Sequence, residues 1–179
     1  MGLFFDILSS INNPDQKGSV SQIESVVNTI NQLSATYRID SSQMQSIIST
    51  VGGLIRPVLQ QQKSLPGSNL ESLMSQLIGA GDSAAAMQSL VPPQIQQQMV
   101  EAITQTTGLS ADRIKAVLPT IIFSVISLLN MGASKPGIQG SGNPILNAFL
   151  DADQNNSVDL ADVLKFGNRF LNPPQPQPV

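Results

Sequence analysis

Two stretches of this 179-residue chain repeat one another at an offset of 70 residues, and that repetition constrains the fold more than any other feature. INQLSATYRIDSSQMQSIISTVGGLI (30–55) lies over VEAITQTTGLSADRIKAVLPTIIFSV (100–125). Ile30 falls on Val100, Leu33 on Ile103, Asp40 on Ser110, Met44 on Ile114, Ile47 on Val117 and Ile48 on Leu118. In both copies apolar residues recur every three or four positions, the period of a helix with one buried face. Each copy reads as helix, short turn, capped helix. Two copies imply paired helical hairpins that bury one another's faces, since a solenoid needs three or more units. Chance agreement between two amphipathic patterns would produce a similar alignment.

The rest of the chain keeps the same period. Leu3, Phe4, Ile7, Leu8 and Ile11 define a helix over 2–11, broken by Asn12, Asn13 and Pro14. A second helix spans 21–36 and a third begins at Asp40, a helix-capping residue type. Gly52, Gly53 and Pro57 should bend or end that third helix, leaving 60–68 as a connection. Further helices follow over 69–79, near 87–90 and over 94–106, then a long one capped by Ser110. The expected fold class is therefore all-α, a helical bundle. Residues 132–143, GASKPGIQGSGN, read as a flexible Gly/Ser linker, and the tail NPPQPQPV (172–179) as extended and proline-rich. These boundaries give a body over 1–131, a linker, a module over 144–171 and the tail.

Composition excludes several chemistries. The chain has no cysteine and no histidine, which removes thiolate nucleophiles, disulfides, the commonest general base and the usual ligands of zinc, iron and copper. Any bound metal should be one that prefers oxygen, calcium or magnesium. The net charge is −3 and the nine basic residues are scattered singly, so no surface resembles a nucleic-acid footprint. Glu24, Glu71 and Glu101 are isolated and read as solvent-facing helix residues, so no enzyme is expected.

Between Lys115 and Lys135 there is no charge, which raises the question of a membrane span. Pro119, Ser124, Ser127 and Asn130 dilute the run, and a helix buried in a protein core is the expected reading. The 2–11 helix carries no basic residue on its polar face, so docking on the body is expected ahead of lipid contact. Its opening, MGLFFDILSSI, lacks the charged start of a secretory signal, which makes the cytoplasm the default location.

One segment carries chemistry. DADQNNSVDLAD (151–162) holds four of the nine aspartates. A calcium loop of twelve residues supplies oxygen from positions 1, 3, 5, 7, 9 and 12. Counting from Asp151 places Asp153, Asn155, Ser157, Asp159 and Asp162 at those positions, with Ser157 contributing its carbonyl. Asn156 stands at position 6, where a left-handed backbone is required, and Val158 supplies the inward apolar residue at position 8. Ile145, Leu146, Phe149 and Leu150 before the loop, and Val163, Phe166 and Phe170 after it, are spaced as two amphipathic helices. The segment over 145–171 resembles an EF-hand, and more closely its dockerin-like form ending in Asp. Asp162 is one methylene shorter than the usual Glu, which implies a weaker or less selective site.

The body over 1–131 resembles the YidB-like bacterial family, whose function is unknown. The resemblance rests on MGLFFDILSSI, TTGLSADRIKAVLPTII and the glycine-rich linker. It implies homeodomain-like helix packing and brings no catalytic residues. Ser110–Asn130, the would-be recognition helix, is too apolar to face a DNA groove. The expected function is a non-enzymatic calcium-binding protein that engages a protein partner or its own copies. The alternative is a membrane-peripheral, oligomerising scaffold that uses the 2–11 helix.

Overall fold

Helix boundaries follow local capping chemistry. The computed structural model describes residues 3–16, 18–67, 70–80, 84–133, 143–151 and 160–171. Helix α1 spans Leu3–Asn12, α2 Val20–Tyr37, α3 Ser41–Ser64, α4 Leu70–Ala80 and α5 Ala84–Leu90. Helices α6 (Pro93–Thr107), α7 (Ala111–Asn130), α8 (Pro144–Asp151) and α9 (Leu160–Leu171) complete the described secondary structure, which is all helical. Ser19 caps α2 in a reciprocal box: Gln22 N–H donates to Ser19 Oγ (3.3 Å), and Ser19 N–H donates to Gln22 Oε1 (3.1 Å). Gln43 accepts in the same way from Asp40 N–H at the start of α3 (3.2 Å). Pro93 opens α6 at a position where a missing N–H costs nothing.

At the 70-residue offset the two hairpins turn alike. Arg38 (φ 52°) and Gly108 (φ 72°) both close their helices in the left-handed conformation. The next residues, Ile39 and Leu109, are buried, and Asp40 and Ser110 then cap α3 and α7. Packing is crossed: α2 lies on α7 and α3 on α6, the arrangement a local two-fold between hairpins produces. Gln43 Nε2 donates to the Thr107 carbonyl at 3.3 Å and ties one turn to the other. Ile47, Ile48, Val51, Ile55 and Leu59 of α3 and Val117, Leu118, Ile121, Val125 and Leu129 of α7 are buried at matching positions. Each such aliphatic side chain contributes about 1.5–3 kcal/mol of transfer free energy.

α7 is the central helix, packed by α2, α3, α4, α6 and α8. Beyond Thr120 it is buried nearly all round, which is why its sequence approaches the composition of a membrane span. Among the described residues no helix is long and apolar enough to cross a membrane. Ile7 is fully buried, and α1 packs against α8 and α9.

α3 departs from expectation. It runs without interruption to Ser64, through both glycines and Pro57, so most of 60–68 is helix and not connection. Pro57 lacks an N–H and its ring crowds the carbonyl four residues earlier. That residue is Gly53, and both are exposed, so the freed carbonyl can tilt toward water. Pro119 in α7 is accommodated on an exposed face in the same manner.

Candidate functional site

The acidic segment 151–162 begins at the last residue of α8, and the structure shows how that helix is held. Asn143 is buried and bonded twice: its Nδ2 donates to the Leu129 carbonyl at 2.6 Å, and its Oδ1 accepts from Leu146 N–H at 3.0 Å. One side chain thereby satisfies a carbonyl near the end of α7 and caps the start of α8. The approach is close enough that a Cβ at Gly132 would collide with Asn143 Oδ1 and with Ile145. Both ends of the expected linker, Gly132–Ala133 and Asn143, are therefore packed into the body; residues 134–142 lie outside the described residues.

The other end of α8 is gripped by α3. Arg56 places its guanidinium 4.9 Å from the centre of the Phe149 ring. Gln60 Nε2 donates to the Leu150 carbonyl at 2.7 Å, and Lys63 Nζ donates to Asn147 Oδ1 at 2.8 Å. These three side chains recur at four- and three-residue spacing, so they share one face of α3. Leu150 is the residue before Asp151, the first expected metal donor. Its carbonyl is among the four at the end of α8 that have no donor within the helix. Ile145, Leu146, Phe149 and Leu150 are all buried, seating α8 on α1, α3 and α7.

α9 leaves the loop and packs on α1, α2 and α3. Val163, Leu164 and Gly167 form its buried side. A Cβ built at Gly167 would lie 3.4 Å from Ile23 and 3.5 Å from Val27, which shows how near α9 comes to α2. Phe166 faces outward at 46 % exposure, and Phe5 of the adjacent α1 at 62 %.

Of the six expected donors, Asp151 is described: it closes α8 and is exposed. Asp153, Asn155, Ser157 and Asp159 lie outside the described residues, as do Asn156 and Val158. Asp162 falls in the first turn of α9, while its side chain is outside the description. Among the described residues no group of three or more acidic residues could hold a metal ion. Glu24 and Glu101 are exposed and Glu71 is half-buried, each on a different helix.

Sequence reasoning missed the grip on α8. Gln60 and Lys63 sat in a segment read as a connection. Their signal was present, since 56, 60 and 63 continue the helical period beyond Pro57, but their partner is 84–93 residues away in sequence.

No family model, curated protein or solved structure matches the chain. The described helices and their packing thus define the protein's class, an all-α protein in which α8 and α9 are seated on the same helical core.

Proposed function

We propose that residues 151–162 bind calcium, with magnesium as the competing ion, and that the protein is a non-enzymatic, calcium-modulated interaction module of the cytoplasm. In this reading 1–131 is a YidB-like domain with homeodomain-like packing, and 144–171 is an EF-hand-like unit of the dockerin type. Asp151, Asp153, Asn155, Asp159 and Asp162 supply side-chain oxygens and Ser157 its carbonyl. The donor set suits a hard cation, in a chain with no cysteine or histidine to favour a softer one.

One observation carries the reading. α8 ends on the first donor, Asp151, and α9 begins at Leu160, two residues before the last, Asp162. A cation drawing donors from both ends would tie two helices that the body already holds separately. Binding to the folded form alone would stabilise it by about 2.7 kcal/mol at a calcium concentration of 100 Kd.

Calorimetric titration of calcium into the parent and into Asp151→Ala tests the proposal. Heat in the parent that is lost in the variant is expected; a parent giving no heat sinks the idea. A second reading, peripheral membrane contact, draws on Phe5 and Phe166, exposed aromatics on neighbouring helices. Co-sedimentation with anionic liposomes, before and after removal of residues 1–12, separates the two readings: pelleting lost on truncation supports the membrane.

A further inference from the structure

We infer that the cleft between α2 and α7 is a binding site for an uncharged, hydroxyl-rich ligand with one apolar face, the chemistry of a neutral sugar. The cleft encloses about 450 Å³, within the usual range for small-molecule pockets. Its described lining comes from α2, α4 and α7 and includes none of the expected calcium donors.

The crossed hairpins explain why the space exists. The 70-residue offset relates Ser25 and Thr29 of α2 to Ile95 and Met99 of α6. Met99 is fully buried between α6 and its neighbours, and Ile95 packs on the core. On the α2 side, where these larger apolar groups have their counterparts, the chain carries two small hydroxyl residues and leaves a cleft. In one half these positions carry apolar groups packed into the core, and in the other they carry small hydroxyl residues beside a cleft.

The lining selects the ligand. Among the described residues no Lys, Arg, Asp or Glu lines the cleft, so none of them would compensate a charged ligand's lost hydration. Thr29 Oγ1 donates its proton to the Ser25 carbonyl (2.7 Å) and Ser124 Oγ to the Thr120 carbonyl (2.8 Å). Both hydroxyls therefore present lone pairs to a ligand. Asn130, also in the lining, is only 7 % exposed, and its buried Oδ1 has no hydrogen-bond partner. A buried acceptor without a donor is costly, and a turn of the Asn130 side chain into the cleft would let a ligand O–H satisfy it. Val26, Ile78 and Phe123 supply an apolar wall against which the C–H face of a sugar ring can pack.

The test follows backbone amide shifts by NMR as glucose, N-acetylglucosamine and maltose are titrated to millimolar concentrations, with glucuronate as the anionic control. Saturable shifts at Ser25, Thr29, Ser124 and Asn130 with an uncharged probe, and at least tenfold weaker binding of glucuronate, are expected. Ser25→Ile with Thr29→Met imports the larger apolar side chains of α6 and should abolish the shifts. Ser124→Ala, which keeps the volume but loses one acceptor, should weaken binding several-fold and guards against misfolding of the double variant. Absence of saturable shifts with all three probes, shifts confined to another surface, or equal binding of glucuronate overturns the proposal. So does unchanged binding in a folded Ser124→Ala.

Discussion

Replacing Gln60 by alanine tests whether α3 prepares the end of α8 for the acidic loop. The amide donates to the Leu150 carbonyl at 2.7 Å across a part-buried contact. A neutral hydrogen bond of this kind contributes about 0.5–1.5 kcal/mol net. Water can replace part of the loss, because Gln60 is itself exposed, so a cost of about 1 kcal/mol is expected. In a protein of this size that lowers Tm by about 2–4 °C. If the last turn of α8 must be formed for Asp151 to ligate, calcium affinity falls by no more than the same free energy, about fivefold. Urea denaturation and calorimetric titration of the same samples give both numbers. Gln61→Ala, one residue further along α3 and exposed, is the control and should change stability by less than about 0.5 kcal/mol. An unfolding curve for Gln60→Ala that overlays the parent would refute the structural contribution of the bond. A clear loss of stability with unchanged calcium affinity would refute the preorganisation argument while leaving the bond intact.

Three further outcomes follow from the packing. Ile121→Ala, in the fully buried stretch of α7, should cost about 2–5 kcal/mol, read as a lower urea midpoint with an unchanged slope. Pro57→Ala restores a donor to the Gly53 carbonyl; because that carbonyl faces water, the relief is below the roughly 3 kcal/mol of a buried site, and after about 1 kcal/mol of unfolded-chain entropy the protein should gain at most about 2 kcal/mol in thermal unfolding. The left-handed turn residues should respond in opposite directions: Gly108→Ala destabilising by about 1–2 kcal/mol and Arg38→Gly stabilising by up to about 1 kcal/mol, both measured by denaturation.

Legibility in sequence depended on whether a feature is local. Helix period and caps are local, so the starts of the helices that follow Asp40 and Ser110 were readable to the residue. The left-handed turn was half legible: Gly108 announces its backbone, whereas Arg38 adopts the same conformation with no glycine to mark it. Pro57 misled, because its penalty depends on whether the preceding turn faces water, and only packing determines that. The oxygen-donor spacing of 151–162 is likewise a local pattern, and the calcium proposal rests on it.

By itself, then, the sequence determined an all-α fold class, a doubled hairpin pattern and one oxygen-rich segment, because each is written in spacings of a few residues. Tertiary structure decided the rest. It crossed the hairpins so that α2 meets α7 and α3 meets α6, and it left a hydroxyl-lined cleft between α2 and α7. It also brought Arg56, Gln60 and Lys63 against α8, fastening the acidic loop's first helix to the body. The physical reason is common to both: a side chain's own pattern sets which face of its helix it occupies, but what that face meets is set by how the helices cross.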